Sequence, residues 1–212
     1  MARKKIRFFV LGSLVILAGI VLSTSLLSQA FDTAESYEAS FTYEAQGKYP
    51  EALNSVLQIL QNQPSDYIAN LRSGWLSYLK GDYEAAEGYY KKSASLMPKA
   101  IEPKLGLMLP LMALKKWNEA ESIGKELLAV DTHNYLVNSR LAFIYYSSGQ
   151  LPKAEQFYLK VLDWYPSDTE MMIGLGWTYK KLGKPKEAKE FFTKVLSIHR
   201  QELRVIEGLK GL

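Results

Sequence analysis

The chain contains no cysteine in 212 residues. That one absence excludes disulfides, thiolate nucleophiles, Cys-ligated zinc, iron–sulfur clusters and lipidation on cysteine. Histidine is almost as scarce, with only His133 and His199, and neither stands at metal-ligand spacing from the acids. No G-x-S-x-G, Walker or G-x-G-x-x-G pattern occurs. Carboxylates recur beside lysines at helical spacing, as in Glu84-Glu87-Lys91, the pattern of a solvated helix face. The sequence therefore predicts a protein that is not an enzyme and needs no cofactor or metal.

Acid is missing from the N-terminus. Arg3, Lys4, Lys5 and Arg7 precede the first carboxylate, Asp32, and account for the whole net charge of +4. The body is neutral, so the basic balance is no sign of nucleic-acid binding, which would need a basic face on the folded domain. Residues 8–22 are apolar apart from Ser13, and the uncharged stretch continues through Leu27. A charged start followed by an apolar run and a small-x-small ending at Ser28 and Ala30 reads as a signal peptide cleaved after Ala30. The same run is long enough to span a bilayer, so an uncleaved signal anchor through residues 8–27 is the alternative. In either case the cations stay cytoplasmic and the rest of the chain is expected to be extracytoplasmic, on the periplasmic side, membrane-anchored or secreted.

What is present is a period. Alanine recurs at Ala52, Ala86, Ala120, Ala154 and Ala188, always 34 residues apart. Gly47, Gly81, Gly149 and Gly183 keep the same interval, with Lys115 in the third slot. Pro64, Pro98 and Pro166 keep it too, with Thr132 and Arg200 in the remaining slots. Repeat two reads G-W-L-S-Y-L-K-G-D-Y-E-A-A-E-G-Y-Y from Gly74 to Tyr90. Repeat four reads L-A-F-I-Y-Y-S-S-G-Q-L-P-K-A-E-Q-F-Y from Leu141 to Tyr158, and repeat five L-G-W-T-Y-K-K-L-G-K-P-K-E-A-K-E-F-F from Leu175 to Phe192.

These motifs resemble the tetratricopeptide repeat family, in five units at 33–66, 67–100, 101–134, 135–168 and 169–202. The resemblance implies an all-α, right-handed superhelical solenoid of antiparallel helix pairs, here preceded by an N-terminal hydrophobic helix in residues 1–31. Each turn glycine ends a first helix. Pro50, Pro152 and Pro185 open second helices, where a missing N–H is harmless. The recurrent alanine permits close approach, and Tyr43, Tyr145, Tyr179, Tyr90, Tyr158 and Phe192 fill the large packing positions. Asp32 with Glu35 reads as a capping box for the first helix. Repeat three departs most, with Met108 at a small position, Gly124 at a large one, Lys115 at the turn and Pro110 inside a helix. A local change of curvature is expected there. Residues 203–212 form a short capping helix, with Leu203, Ile206 and Leu209 on one face and too little length to cover the last repeat.

In this family the second, fifth, ninth, twelfth and thirteenth positions of each unit face a concave groove. Here the fifth, ninth and twelfth bring Tyr37, Phe41, Leu71, Trp75, Tyr78, Leu109, Met112, Phe143, Tyr146 and Trp177 into one apolar stripe. Aromatic residues and Met suit a binding surface, and the natural ligand is an amphipathic helix or apolar peptide of a protein partner. Burial of the stripe by tight curvature is the competing reading. Arg72 and Arg140 share the sixth position and are candidates for secondary polar contacts, with salt bridges inside the chain as the alternative. The groove lacks the Lys and Asn set that would grip a C-terminal carboxylate. The function expected is an extracytoplasmic scaffold in a bacterial envelope assembly. A structural homo-oligomer built through the convex face and the C-terminal end, or a carrier of an apolar small molecule or lipid, are the alternatives.

Overall fold

The structure is a computed structural model, and it describes residues 32–212. The signal-peptide or anchor reading of residues 1–31 lies outside the described residues. Within them the chain is all-helical. Unit one contributes α1 (Thr33–Ala45) and α2 (Tyr49–Asn62), unit two α3 (Tyr67–Lys80) and α4 (Tyr83–Leu96), and unit three α5 (Glu102–Ala113) and α6 (Trp117–Val130). Unit four contributes α7 (Tyr135–Ser147) and α8 (Leu151–Trp164), and unit five α9 (Thr169–Lys181) and α10 (Pro185–Ile198). A short α11 (Leu203–Leu209) follows. Among the described residues no helix is long and apolar enough to cross a membrane.

Local chemistry sets these boundaries. Asp32, Asp66, Asp82, Asn134, Asp168 and Glu202 each accept a backbone N–H at the start of the helix they precede, satisfying donors a helix leaves open. Pro50, Pro152 and Pro185 sit in the first turns of α2, α8 and α10. Gly81 ends α3 in the left-handed region, at φ +86°. Lys115 adopts the same conformation, at φ +58°, without being glycine. The solenoid therefore keeps its turn geometry in repeat three at the cost of a backbone conformation that residues other than glycine rarely adopt.

One rule governs how successive units stack. Tyr90, Tyr158 and Phe192, at the twenty-fourth position, press their rings onto Gly106, Gly174 and Gly208, the sixth residues of the following units. A Cβ at any of these glycines would collide with the ring. Where the twenty-fourth residue is small, as at Val56 and Gly124, the sixth residue of the next unit is large, Arg72 and Arg140. At Gly124 the vacated space is taken by Leu141 of the next unit. Arg72 and Arg140 reach back to the preceding units instead. Repeat three stays packed despite its departures, with Met108 fully buried and α5 continuing through Pro110.

The interruption in the apolar core falls instead in repeat two. One buried cluster unites α2 with Ala69 and Leu76 of α3, and a second runs from Tyr90 to Val205. Between them stand Ser73, Ser77 and Ser93, all fully buried, at positions held by Leu107, Leu111 and Leu127 in repeat three. The Ser73 and Ser77 hydroxyls lack a partner. We expect Ser77→Ala to raise stability by about 1 kcal/mol, because it removes a buried orphan hydroxyl and favours the helix. Thermal or urea denaturation measures this.

The last helix corrects the face expected from sequence. Val205 and Gly208 are buried, whereas Leu203 and Ile206 are exposed. The cause is register. Helix α11 stands where the first helix of a sixth unit would, with Gly208 receiving Phe192 as Gly174 receives Tyr158.

Candidate groove and its packing

The ten residues of the expected stripe do not form one open surface. Phe41 and Phe143 are exposed, at 58% and 45%, and the other eight are half-buried. At the N-terminal end the stripe closes on itself. Trp75 donates from Nε1 to Glu44 at 2.7 Å and stacks on Tyr78, which leans on Tyr83. The Tyr37 hydroxyl donates to Asp66 at 3.0 Å. Burial, reinforced by this carboxylate, holds the Tyr37 phenol far above its ordinary range, so it stays a neutral donor.

Both arginines are taken up inside the chain. Arg72 donates from Nε to Ser40 at 2.8 Å, lies 2.8 Å from Glu44, and stacks over the Phe41 ring at 3.6 Å. Arg140 donates to the Leu105 carbonyl at 2.6 Å, and burial pulls its guanidinium below its ordinary value. Their partners lie in the preceding units, so each arginine stitches one unit to the next. Central Leu109 and Met112 supply an aliphatic floor, with Met112 packed on the main core.

The C-terminal half is different. Phe143, Tyr146 and Trp177 converge on a hollow of about 250 Å³ between units four and five, with Ser139, Ile173 and Met171 completing its wall. Its base is Tyr158, whose hydroxyl end reaches Gly174 because that residue has no side chain. Burial pushes the Tyr158 phenol up, which keeps it protonated. Phe143 is braced edge-on by Trp117, and Trp177 by Phe192. At the rim Arg204 of α11 makes a two-pronged bond to Glu170, at 2.8 and 2.7 Å. The Lys181 ammonium sits 4.1 Å from the Tyr146 ring centre. The hollow can therefore accept one large apolar side chain and offer polar groups at its base and rim.

Sequence reasoning missed Tyr158, Glu170, Met171 and Arg204 as lining residues. Tyr158 carried a usable signal, since a large residue at the twenty-fourth position followed by glycine at the next sixth position exposes its tip to the groove.

Away from the groove, a ladder ties the units together. Glu87 accepts from Lys116 at 2.8 Å and Glu155 from Lys184 at 2.9 Å, each across a unit border. In unit five the acid's place is taken by Lys189.

An all-helical array of paired helices at a 34-residue period, carrying an aromatic groove, defines a helical-repeat binding scaffold. Family profiles described as tetratricopeptide repeat match residues 42–100 and 131–201, together more than half of the chain, and the chain belongs to the tetratricopeptide repeat family. It is 26% identical over 163 residues to the BBSome complex member BBS4 of Bos taurus, covering 76% of this chain and 31% of that protein. The Mus musculus protein of the same name is 26% identical over 145 residues, covering 68% and 27%. The chain thus spans less than a third of the length of these curated relatives. Among solved structures, MamA (41-end) of Desulfovibrio magneticus RS-1 superposes with a TM-score of 0.73 at 22% identity, over 82% of this chain and 98% of that one. YrrB, described as a TPR protein with an unusual peptide-binding site, gives a TM-score of 0.69 at 14% identity, over 87% and 95%. These structural likenesses concern the fold.

Proposed function

We propose that this protein is a non-catalytic scaffold that holds an amphipathic helix or apolar peptide of a protein partner in its concave groove. The observation that carries this reading is the hollow between units four and five, where Phe143, Tyr146 and Trp177 meet around one side-chain-sized space. An exposed aromatic braced by a second ring is already ordered, so binding costs little further side-chain entropy. The names of two relatives are in keeping with such a role, since BBS4 is a complex member and YrrB a protein with a peptide-binding site. The N-terminal charge pattern supports an extracytoplasmic place, tethered to or released from a membrane, within a bacterial envelope assembly.

The structural-polymer reading finds less support. Helix α11 already occupies the place from which a second copy would continue the stack. Lys189 stands where the ladder needs a carboxylate, and unit one of a second copy would bring Lys48 to that rung. At the other end Glu35 and Thr42 replace the buried Ala69, Leu76, Val137 and Ile144 of inner units, giving α1 a polar outer face.

Phe143→Ala is the sharpest test, because this side chain is exposed and its loss leaves the core intact. Capture of a partner from envelope extract is expected to weaken by roughly 10- to 100-fold in affinity, the range of an aromatic hot spot, with the melting temperature unchanged. Trp177→Ala should match it in binding, although it also loosens Phe192. Undiminished capture by both variants would remove the groove from the mechanism.

A further inference from the structure

Exposed apolar side chains are not spread evenly over this solenoid. Each unit has two edges, one formed by the turns within units and one by the turns between units. Among the described residues twelve large apolar side chains are exposed, and eight of them lie on the between-unit edge. Met97, Val130, Tyr165 and Ile198 end second helices, and Ile68 and Leu136 begin first helices. Val130 is 75% exposed. None of the twelve lies on the opposite edge, which carries Lys48, Lys80, Lys115, Lys153 and Lys186. Packing between units does not account for the asymmetry, because all eight side chains stay exposed in the stacked array.

We propose that this edge rests on the surface of an electrically neutral lipid bilayer. The inference rests on the reading of residues 8–27 as a membrane anchor. That uncharged stretch ends at Leu27, and Asp32 caps the first turn of α1. The N-terminus of α1 lies on the same edge as the exposed apolar side chains. A chain leaving a bilayer there brings the between-unit edge, not the lysine-bearing one, against the lipid. The edge also carries the residue types of a membrane–water boundary. Tyr135 packs on Tyr165, and His133 and Lys160 pack on Trp164. The aliphatic tips are short and repeat along the whole array, which suits a flat apolar interface rather than a pocketed protein surface.

Charge selects the kind of lipid. Asp32, Asp66, Asp168 and Glu202 on this edge are engaged as helix caps, and Glu102 accepts from Tyr67. Lys99, Lys160, Arg200 and Arg204 are the basic residues beside them, and Asp131 adds a further acid. The edge carries no cationic excess, so attraction to anionic headgroups is not its driving force. Docking should be insensitive to anionic lipid and to salt.

The natural absence of cysteine makes the test clean. Single-cysteine variants V130C and I198C report the apolar edge, and K48C and K186C the opposite one. All four positions are exposed, so folding should be undisturbed. Each full-length variant is labelled with an environment-sensitive fluorophore and reconstituted in phosphatidylcholine vesicles containing a lipid-borne quencher. The expected result is several-fold quenching at positions 130 and 198 and none at 48 and 186, unchanged when phosphatidylglycerol or salt is added. Equal, weak quenching at all four sites in vesicle-bound protein overturns the proposal while leaving the anchor intact. Failure to co-sediment with vesicles removes the anchor reading and this proposal with it. Shielding at 130 and 198 that grows with protein concentration and not with lipid indicates a second copy, and also overturns it. None of these outcomes bears on the groove, which Phe143→Ala tests separately.

Discussion

Replacing Gly174 by valine is expected to cost roughly 3 kcal/mol, at the upper end of what overpacking a close-fitted interior costs. The side chain would enter space held by the Tyr158 ring. That ring cannot swing away, since Tyr158 is buried between units four and five. The helix gains a little from losing a glycine, but far less than the collision costs. Tyr158→Ala alone should cost about 3–5 kcal/mol, the usual price of deleting a buried aromatic. The informative variant is the pair. Because the Tyr158 ring fills the space that a side chain at position 174 would need, the double substitution should cost clearly less than the two single costs combined. Urea denaturation of the three variants measures the coupling, and strict additivity would refute the stacking rule. Loss of Tyr158 also removes the base of the hollow, so this variant should bind a groove ligand poorly even where it folds.

Asn138→Ala is expected to cost about 1–2 kcal/mol, more than a surface polar substitution, because it removes two hydrogen bonds made by a fully buried side chain across a turn. Asn138 is fully buried. Its amide donates to the Thr132 carbonyl at 3.2 Å and to the Asn134 carbonyl at 2.8 Å, closing the turn that joins units three and four. Asn70 repeats the arrangement between units one and two, donating to the carbonyls of Pro64 and Asp66. Because contacts in a solenoid run only between neighbours, the loss should be local. Hydrogen exchange should quicken first around residues 130–140, with α2 and α3 unaffected. A uniform loss of protection along the chain would contradict this account.

Much of the fold was legible in the sequence because the solenoid's contacts are short in range. The glycine, alanine and proline marks give the period, and the caps Asp66, Asn134 and Asp168 stand where it places helix starts. The groove was only half legible. Sequence placed Phe143, Tyr146 and Trp177 on one face, and tertiary structure brought them around one hollow. Sequence placed Phe41 and Trp75 on the same stripe with Arg72 as a polar contact beside it, but structure turned them toward one another through Glu44 and Ser40. The difference lies in what each unit's neighbours supply, and a period says nothing of that.

By itself the sequence determined the number of units, their register and the separation of the N-terminal cations from a neutral body. These follow from backbone requirements at turns and caps, which are local. Only the tertiary structure decided where rings press onto glycines of the next unit, that the apolar core breaks at the serines of repeat two, and that α11 occupies the place of a sixth unit's first helix. It also decided which exposed side chains share an edge. These depend on contacts between side chains about one repeat apart, where the fit of two surfaces rather than the preference of one residue sets the energy.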